Sequence, residues 1–202
     1  MMMKKAELAE ACWTALADHM PHDISLEKLA EACDISVDEA VLHGGDVTSL
    51  ILAQLEMLDS QSLTTSADDF ADDPHATIYE KLLEGLMMRF EALAPYRAQF
   101  DHLHKAAQRH PVLALHLTHQ LSHTVGKLLH LAGDHSTGAI KQARILGVVG
   151  TLLRVRATWA TDESADLGLT MKALDDGLKK ACEWAVSLRV LTPDNIAGQR
   201  AE

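Results

Sequence analysis

Apolar residues recur along this chain at the three- and four-residue spacing of an α-helix, and this periodicity constrains the fold more than any other feature. Only five prolines and 11 glycines interrupt its 202 residues, of which 48% are hydrophobic. A chain of this length and composition can bury a core and favours helices. Its apolar residues do not alternate as those of a strand would. We therefore predict an all-α fold of about nine helices.

Prolines, glycines and capping residues divide the chain into two folded regions. Residues 1–60 are expected to form a helix-turn-helix-like N-terminal domain with a three-helix head. The polar, acidic segment 61–74 is expected to be a linker. A second helical domain would cover 75–191, and 192–202 would be a flexible tail. The individual helices are predicted at 5–20, 26–33, 37–43, 47–60, 74–94, 96–109, 111–132, 138–160 and 165–190.

The N-terminal region has the spacing of a DNA-reading domain but the opposite charge. Residues 1–50 hold three lysines and ten acidic residues, a net charge of −7, in a chain whose total charge is −11. A DNA-binding domain gains affinity by neutralising phosphates with Lys and Arg, so this one would approach DNA against repulsion. We expect the head to be structural or to bind a protein. In the alternative, in which it contacts DNA, the contact residues would be Lys5, Lys28, Ser36, His43 and Thr48.

Seven of the 12 histidines lie between residues 102 and 130. On the helix predicted there, His116, His119 and His123 share one polar face. Three interpretations stay open: a solvated face, a metal site and a pH-responsive surface. No acidic residue is near enough in sequence to complete a metal site, so we predict no metal or other cofactor. The opposite face of this helix is apolar and consists of Leu113, Leu117, Leu121, Val125 and Leu128.

Motifs of catalysis and of export are missing from the sequence. It has no Gly-x-Ser-x-Gly, no glycine-rich phosphate loop and no Cys-x-x-Cys, so we predict that the chain is not an enzyme. No apolar run reaches the ~20 residues of a membrane span, and the first residues lack the apolar core of a signal peptide. Cys12, Cys33 and Cys182 lack metal-ligand spacing, which favours buried, reduced thiols in a cytoplasmic protein.

Two glycines in an apolar helix predict close helix packing. Gly147 and Gly150 each cost roughly 1 kcal/mol relative to alanine in a helix, and the close approach of a partner helix would compensate. We predict a homodimer interface in which this helix and the last one pack as four helices, through Gly147, Gly150, Leu153, Leu174 and Leu178. The alternative is an ordinary helix pair within one chain.

Small and flexible apolar side chains in 78–132 predict a ligand pocket. Such side chains line apolar cavities between helices, where methionine adapts to irregular ligands. The alternative is a packed core with no cavity. The residues predicted to line the pocket are Leu82, Leu86, Met87, Phe90, Phe100, Leu103, Leu113 and Leu117.

The order of helices over residues 5–58 resembles the N-terminal head of the TetR regulator superfamily. Ser36 and His43 are the positions that match its DNA-reading pattern. The resemblance implies a helical homodimer with a ligand-binding domain. The alternative function that it implies is a ligand-responsive, DNA-binding transcriptional repressor.

Residues 132–178 are similar to the ubiquinone-biosynthesis accessory family, TetR-fold relatives that bind lipids rather than DNA. This resemblance implies an apolar pocket in each subunit for a hydrophobic small molecule or lipid of isoprenoid or ubiquinone type. It also implies a peripheral membrane or enzyme partner, and Trp184–Leu191 is a short counterpart of the family's amphipathic end. The series that carries the similarity is Ala132-Gly-Asp-His-Ser-Thr137, Arg144, Asp162-Glu-Ser164, Asp166, Thr170 and Leu174-Asp175.

Overall fold

The structure, a computed structural model, describes residues 2–73 and 75–187. Every regular element in these ranges is a helix, which confirms the predicted all-α fold. The predicted tail, 192–202, lies outside the described residues. The described helices are α1 (Met2–Ala15), α2 (Leu26–Ala32), α3 (Val37–Gly44), α4 (Val47–Asp72), α5 (Ile78–Leu93), α6 (Arg97–Ala107), α7 (Pro111–Leu131), α8 (Gly138–Thr161) and α9 (Gly168–Ser187), with short 3₁₀ helices at Pro21–Asp23 and Ala94–Tyr96.

Serine side chains fix where the two short helices of the head begin. The Ser25 Oγ accepts a hydrogen bond from the backbone N–H of Lys28 at 3.4 Å, which caps α2. At α3, the Ser36 Oγ accepts from the N–H of Glu39 at 3.2 Å. The Glu39 carboxylate in turn accepts from the N–H of Ser36 at 3.1 Å. This reciprocal capping box satisfies two backbone donors and holds the start of α3 in place.

α4 continues to Asp72, so most of the predicted linker 61–74 is helical. Ser62, Ser66 and Phe70 follow one another at four-residue spacing, and all three side chains are buried. The Ser66 Oγ donates to the carbonyl of Ser62 at 2.9 Å, so its buried hydroxyl is satisfied. The segment therefore has an inward face that its polar composition does not reveal.

The described residues divide into two compact units whose limits differ from the predicted domains. The first unit combines the chain up to Asp59 with Leu93–Gln120. The second combines Ser60–Ala92 with the chain from Leu121 onward. Residues 93–120 thus belong with the N-terminal region rather than with the predicted second domain at 75–191.

Aromatic packing shows why part of the later chain belongs to the first unit. The ring of Trp13 on α1 lies edge-on to the rings of Tyr96 and Phe100, each at 5.7 Å between centroids. The Gln99 amide nitrogen donates to the carbonyl of Trp13 at 3.4 Å. Fully buried residues of α1, of the turn after it and of α4 belong to the same core: Leu8, Cys12, Leu16, Leu50 and Ile51.

In the second unit, α8 and α9 pack against each other. Thr151 lies next to Gly177, and Gly147 lies next to Ala181, so the two helices run in opposite directions. A Cβ atom added to Gly177 would lie 2.6 Å from the Cγ2 of Thr151. Only glycine permits this approach without a shift, because real Cβ contacts are longer. The buried Thr151 Oγ1 also donates a hydrogen bond to the carbonyl of Gly177 at 3.3 Å, which joins the two helices at this contact.

The three cysteines differ in burial, and all are free thiols. Cys12 is fully buried, and burial raises the pKa of its thiol to about 12. Cys33 and Cys182 are half-buried, and for both the pKa is raised mainly by burial. The expectation of buried thiols is therefore correct for Cys12 and too strong for the other two, whose helix faces reach the surface.

Candidate ligand-binding site

A buried ion pair joins the turn before α8 to α8 itself. The Arg144 Nη1 lies 2.6 Å from the Oδ1 of Asp134, and their side chains are 19% and 4% exposed. The N–H of Ser136 donates to the same carboxylate oxygen at 2.9 Å. Burial alone would raise the pKa of Asp134, but the hydrogen bonds from Arg144 and Ser136 outweigh it and hold this pKa below its usual value. Asp134 therefore stays ionised in the folded chain.

A second buried carboxylate closes the turn between α8 and α9. Asp162 accepts hydrogen bonds from the N–H and Oγ of Ser164, and from the N–H and Oγ1 of Thr170 at 2.8 and 2.7 Å. Asp162 and Thr170 have no exposed surface. The Ser164 hydroxyl, followed by the Thr170 donors, holds the pKa of Asp162 far below its usual range.

A third carboxylate ties α9 to α5. The Tyr79 hydroxyl donates to the Oδ1 of Asp175 at 2.7 Å, across 96 positions of sequence. Burial, followed by this hydrogen bond to the carboxylate, raises the pKa of Tyr79 well above its usual value. Asp134, Asp162 and Asp175 belong to the series that carries the resemblance over 132–178. In this chain they form a polar framework that positions α5, α8 and α9.

No protein-family model matches this chain. No curated protein matches it significantly either. The family resemblance of residues 132–178 stays a prediction from the sequence.

Four predicted pocket residues lie in the core of the second unit. Leu82, Leu86, Met87 and Phe90 on α5 are between 1% and 7% exposed. The Phe90 ring lies 5.7 Å from the ring of Trp159, whose indole N–H donates to the carbonyl of Phe90 at 3.1 Å. Sequence reasoning missed Trp159, although a tryptophan on the apolar face of a long helix is a recognisable signal.

Leu86 borders a small void of about 10 Å³ between α4, α5 and α7. Such a volume holds about one water molecule, whereas ligand pockets typically measure roughly 300–1,000 Å³. Uptake of a ligand here therefore requires these helices to separate. The wall combines apolar side chains with two hydroxyls and a guanidinium, and it consists of Ser62, Leu63, Gly85, Leu86, Arg89, Thr124, Val125 and Leu128.

The other four predicted pocket residues lie in the first unit. Leu103 and Leu113 are buried, and Phe100 and Leu117 are half-buried. The prediction grouped residues of one sequence stretch, 78–132, that the fold distributes between two compact units. Their joint role in one pocket stays a prediction.

The predicted interface residues divide into an outer and an inner group. Leu153 is 54% exposed, and a Cβ added to Gly150 would meet no atom within 4 Å. Leu174 and Leu178 are at most 2% exposed, so they belong to the core of the second unit and are not available to a partner. Gly147 faces Ala181 of the same chain. The alternative of a helix pair within one chain thus accounts for the inner group.

The histidine face of α7 is exposed as predicted. His116, His119 and His123 are exposed, whereas Leu113, Val125 and Leu128 are buried on the opposite side. In the described part of the chain, no three His, Cys, Asp or Glu side chains are placed to hold a metal ion. None of the described helices combines the length and hydropathy needed to cross a bilayer.

The residues proposed for DNA contact have different surroundings. Lys5 and Lys28 are exposed, whereas His43 and Thr48 are half-buried. The Ser36 hydroxyl is occupied by the capping box of α3, where it also donates to the Glu39 carboxylate at 3.0 Å.

An open cleft of about 810 Å³ between α1 and α2 was not expected from the sequence. Its floor includes Ala11, Ala15 and the buried Leu29. Four carboxylates and one lysine surround that floor, so a bound molecule would meet negative potential. These charged residues are Glu7, Glu10, Asp23, Asp34 and Lys28.

Proposed function

We propose that this chain is a TetR-like helical homodimer that binds a hydrophobic small molecule or lipid, of isoprenoid or ubiquinone type, within its second unit. The void beside Leu86 is the observation that carries this proposal. Its wall is apolar with a few converging polar groups, the composition that ligand sites favour. The resemblance over 132–178 supports the choice of ligand class. The protein would act in the cytoplasm, with a peripheral membrane or an enzyme as its partner.

The packing around the void supports expansion on binding. Met88 is half-buried on α5, next in sequence to Arg89 of the void wall, and its sulfur accepts a hydrogen bond from the Ser66 Oγ at 3.5 Å. The neighbouring Met87 is also unbranched, and such side chains change shape at low energetic cost. A Cβ added to Gly85 would lie 2.6 Å from Leu128, so α5 and α7 already approach closely at this point. A ligand would replace part of this contact with its own apolar surface.

An outer α8 stripe supports the homodimer. Its members repeat at alternating four- and three-residue steps, the spacing of a helix–helix seam. Leu146 and Leu153 are 63% and 54% exposed, and small residues between them would let a partner helix approach. The outer α8 stripe consists of Ala139, Ala143, Leu146, Gly150, Leu153, Ala157 and Ala160.

Native mass spectrometry tests the binding proposal directly. We expect the freshly purified protein to be a dimer with an extra mass of a few hundred daltons that organic solvent releases. Leu63→Trp should reduce the bound fraction, because Leu63 borders the void. Leu83→Trp is the matched control, since Leu83 is also a half-buried leucine and does not border the void. Equal adducts in both variants, or no adduct with added isoprenoid, would reject the site.

The alternative is a ligand-responsive TetR-type repressor that binds DNA. The arrangement of α2, turn and α3, with exposed Lys5 and Lys28, favours this alternative. The two functions differ in their response to salt. Nanomolar binding to a specific duplex that weakens steeply with salt would support the repressor. Retention of a lipid adduct without any such binding would support the lipid-binding protein.

A further inference from the structure

The exposed side of α3 is apolar where a DNA-reading helix would be basic. Val37, Val41 and Leu42 are 40%, 53% and 78% exposed. At 100° per residue they span about 140° of the helix surface, with Asp38 between them. By the same rule the buried Ala40 and Gly44 lie about 60° and 20° from Val37, so the exposed arc borders the buried side of the helix at Val37. We call the exposed set Val37, Asp38, Val41 and Leu42 the α3 face.

The chain segment that contains the α3 face is rich in acidic residues. Between residues 26 and 50 the chain has six acids and a single lysine, Lys28. Lys4 forms an ion pair with Glu39 at 3.3 Å and offsets one of these charges, so residues 26–50 together with Lys4 still carry 2 − 6 = −4. The Ser49 side chain and N–H hold the pKa of Asp46 below its usual value, so this carboxylate stays ionised. Asp34, three residues before Val37, also belongs to the rim of the acidic α1–α2 cleft.

The helix that carries the α3 face is capped at its start and packed in the head. The capping box at Ser36 and Glu39 fixes its first turn. Ala40 has no exposed surface and anchors the helix to the rest of the head. The exposure of its apolar side chains is therefore a property of a fixed helix.

We propose that the α3 face docks a basic amphipathic helix of another protein. Apolar side chains of the partner would cover Val41 and Leu42, and its Lys or Arg side chains would face the surrounding carboxylates. Charge complementarity selects this partner, because an acidic helix or the phosphates of DNA would be repelled. A helix that is packed in the head and still exposes an apolar arc suits recognition by a second helix. This function is separate from ligand binding in the second unit.

The test uses a fluorescent synthetic helix of leucine and lysine and the full-length protein at physiological ionic strength. We expect saturable binding, measured by anisotropy, that weakens at least about thirtyfold in Leu42→Lys, the lower limit of a hot-spot effect. Leu115→Lys is the matched control, because it makes the same charge change at a leucine that is 67% exposed on α7 of the same unit. It should change the affinity by less than about twofold. Circular dichroism would show that both variants are folded.

Several results would overturn the proposal. Equal weakening by Leu42→Lys and Leu115→Lys would show a general charge effect, and absence of saturable binding to the wild-type chain would remove the site. Equal binding of a leucine–glutamate helix would remove the argument from charge. Loss of dimers in Leu42→Lys alone would assign the α3 face to a second copy of the chain. Competition by duplex DNA at this face would favour the repressor instead.

Discussion

Replacement of Arg144 by methionine should destabilise the second unit strongly. Methionine keeps much of the apolar stem but removes the charge that faces Asp134. Asp134 is only 4% exposed, so its carboxylate would stay in the interior without a counter-ion. Breaking a buried ion pair in this way typically costs about 3–5 kcal/mol. Because Arg144 is 19% exposed and water can partly replace it, we expect the lower end of that range, about 3 kcal/mol.

The pH dependence of the stability difference tests this prediction a second time. In the wild-type chain the folded-state pKa of Asp134 is lowered. The ion pair therefore contributes fully to the free energy of unfolding above the unfolded carboxyl pKa of about 3.9. This contribution is lost as the pH falls through the lower folded-state pKa. In Arg144→Met, burial is no longer outweighed by the guanidinium, so the pKa of Asp134 should rise. The variant then takes up a proton on folding at mildly acidic pH. The stability difference between the two proteins should therefore be largest near neutral pH and shrink as pH falls.

Urea unfolding followed by circular dichroism at several pH values would measure both effects. Arg154→Met is the matched control, because Arg154 is an exposed arginine on the same helix, and it should change the unfolding free energy by less than about 0.5 kcal/mol. A double-mutant cycle with Asp134→Asn should show coupling rather than additivity. If Arg144→Met costs under about 1 kcal/mol, or costs the same at every pH, the buried pair does not have the role that its geometry indicates.

Two further predictions concern the two faces of the α8–α9 pair. Gly177→Ala should lower thermal stability relative to Gly147→Ala, because its Cβ would lie 2.6 Å from Thr151, whereas a Cβ at Gly147 would make an ordinary 3.7 Å contact with Ala181 and should gain roughly 1 kcal/mol of helix propensity; equal melting temperatures would contradict the close contact. Leu153→Lys should convert dimers to monomers in light scattering, while Leu169→Lys, at a 62% exposed leucine on α9, should leave the mass unchanged; an unchanged mass in both would exclude the outer α8 stripe as the interface.

Sequence periodicity predicted the fold class and the faces of single helices well. Along α7, the separation of His116 and His123 from Val125 and Leu128 follows directly from the 3.6-residue period, and the structure confirms it. The period cannot say what covers an apolar face, however. Leu174 was therefore assigned to a subunit interface, although its buried face packs within its own chain.

Long-range and polar features were beyond the reach of sequence patterns. The Tyr79–Asp175 hydrogen bond joins residues 96 positions apart, and neither residue is unusual by itself. Residues 61–74 were expected to be a linker because they are polar, yet the Ser66 hydroxyl donates to the carbonyl of Ser62, and both serines are buried. The void beside Leu86 depends on the distance between three helices, which local spacing does not encode.

Because Cys12 is completely buried, the reactivity of its thiol reports local unfolding of the native chain. With a thiol pKa of about 12 and no exposed surface, Cys12 has neither the thiolate nor the access that alkylating reagents require. Cys33 and Cys182 are half-buried and should be modified first. The rate at which the Cys12 thiol reacts therefore measures how often α1 unfolds from the core. Local unfolding of the N-terminal region can thus be followed in the wild-type protein.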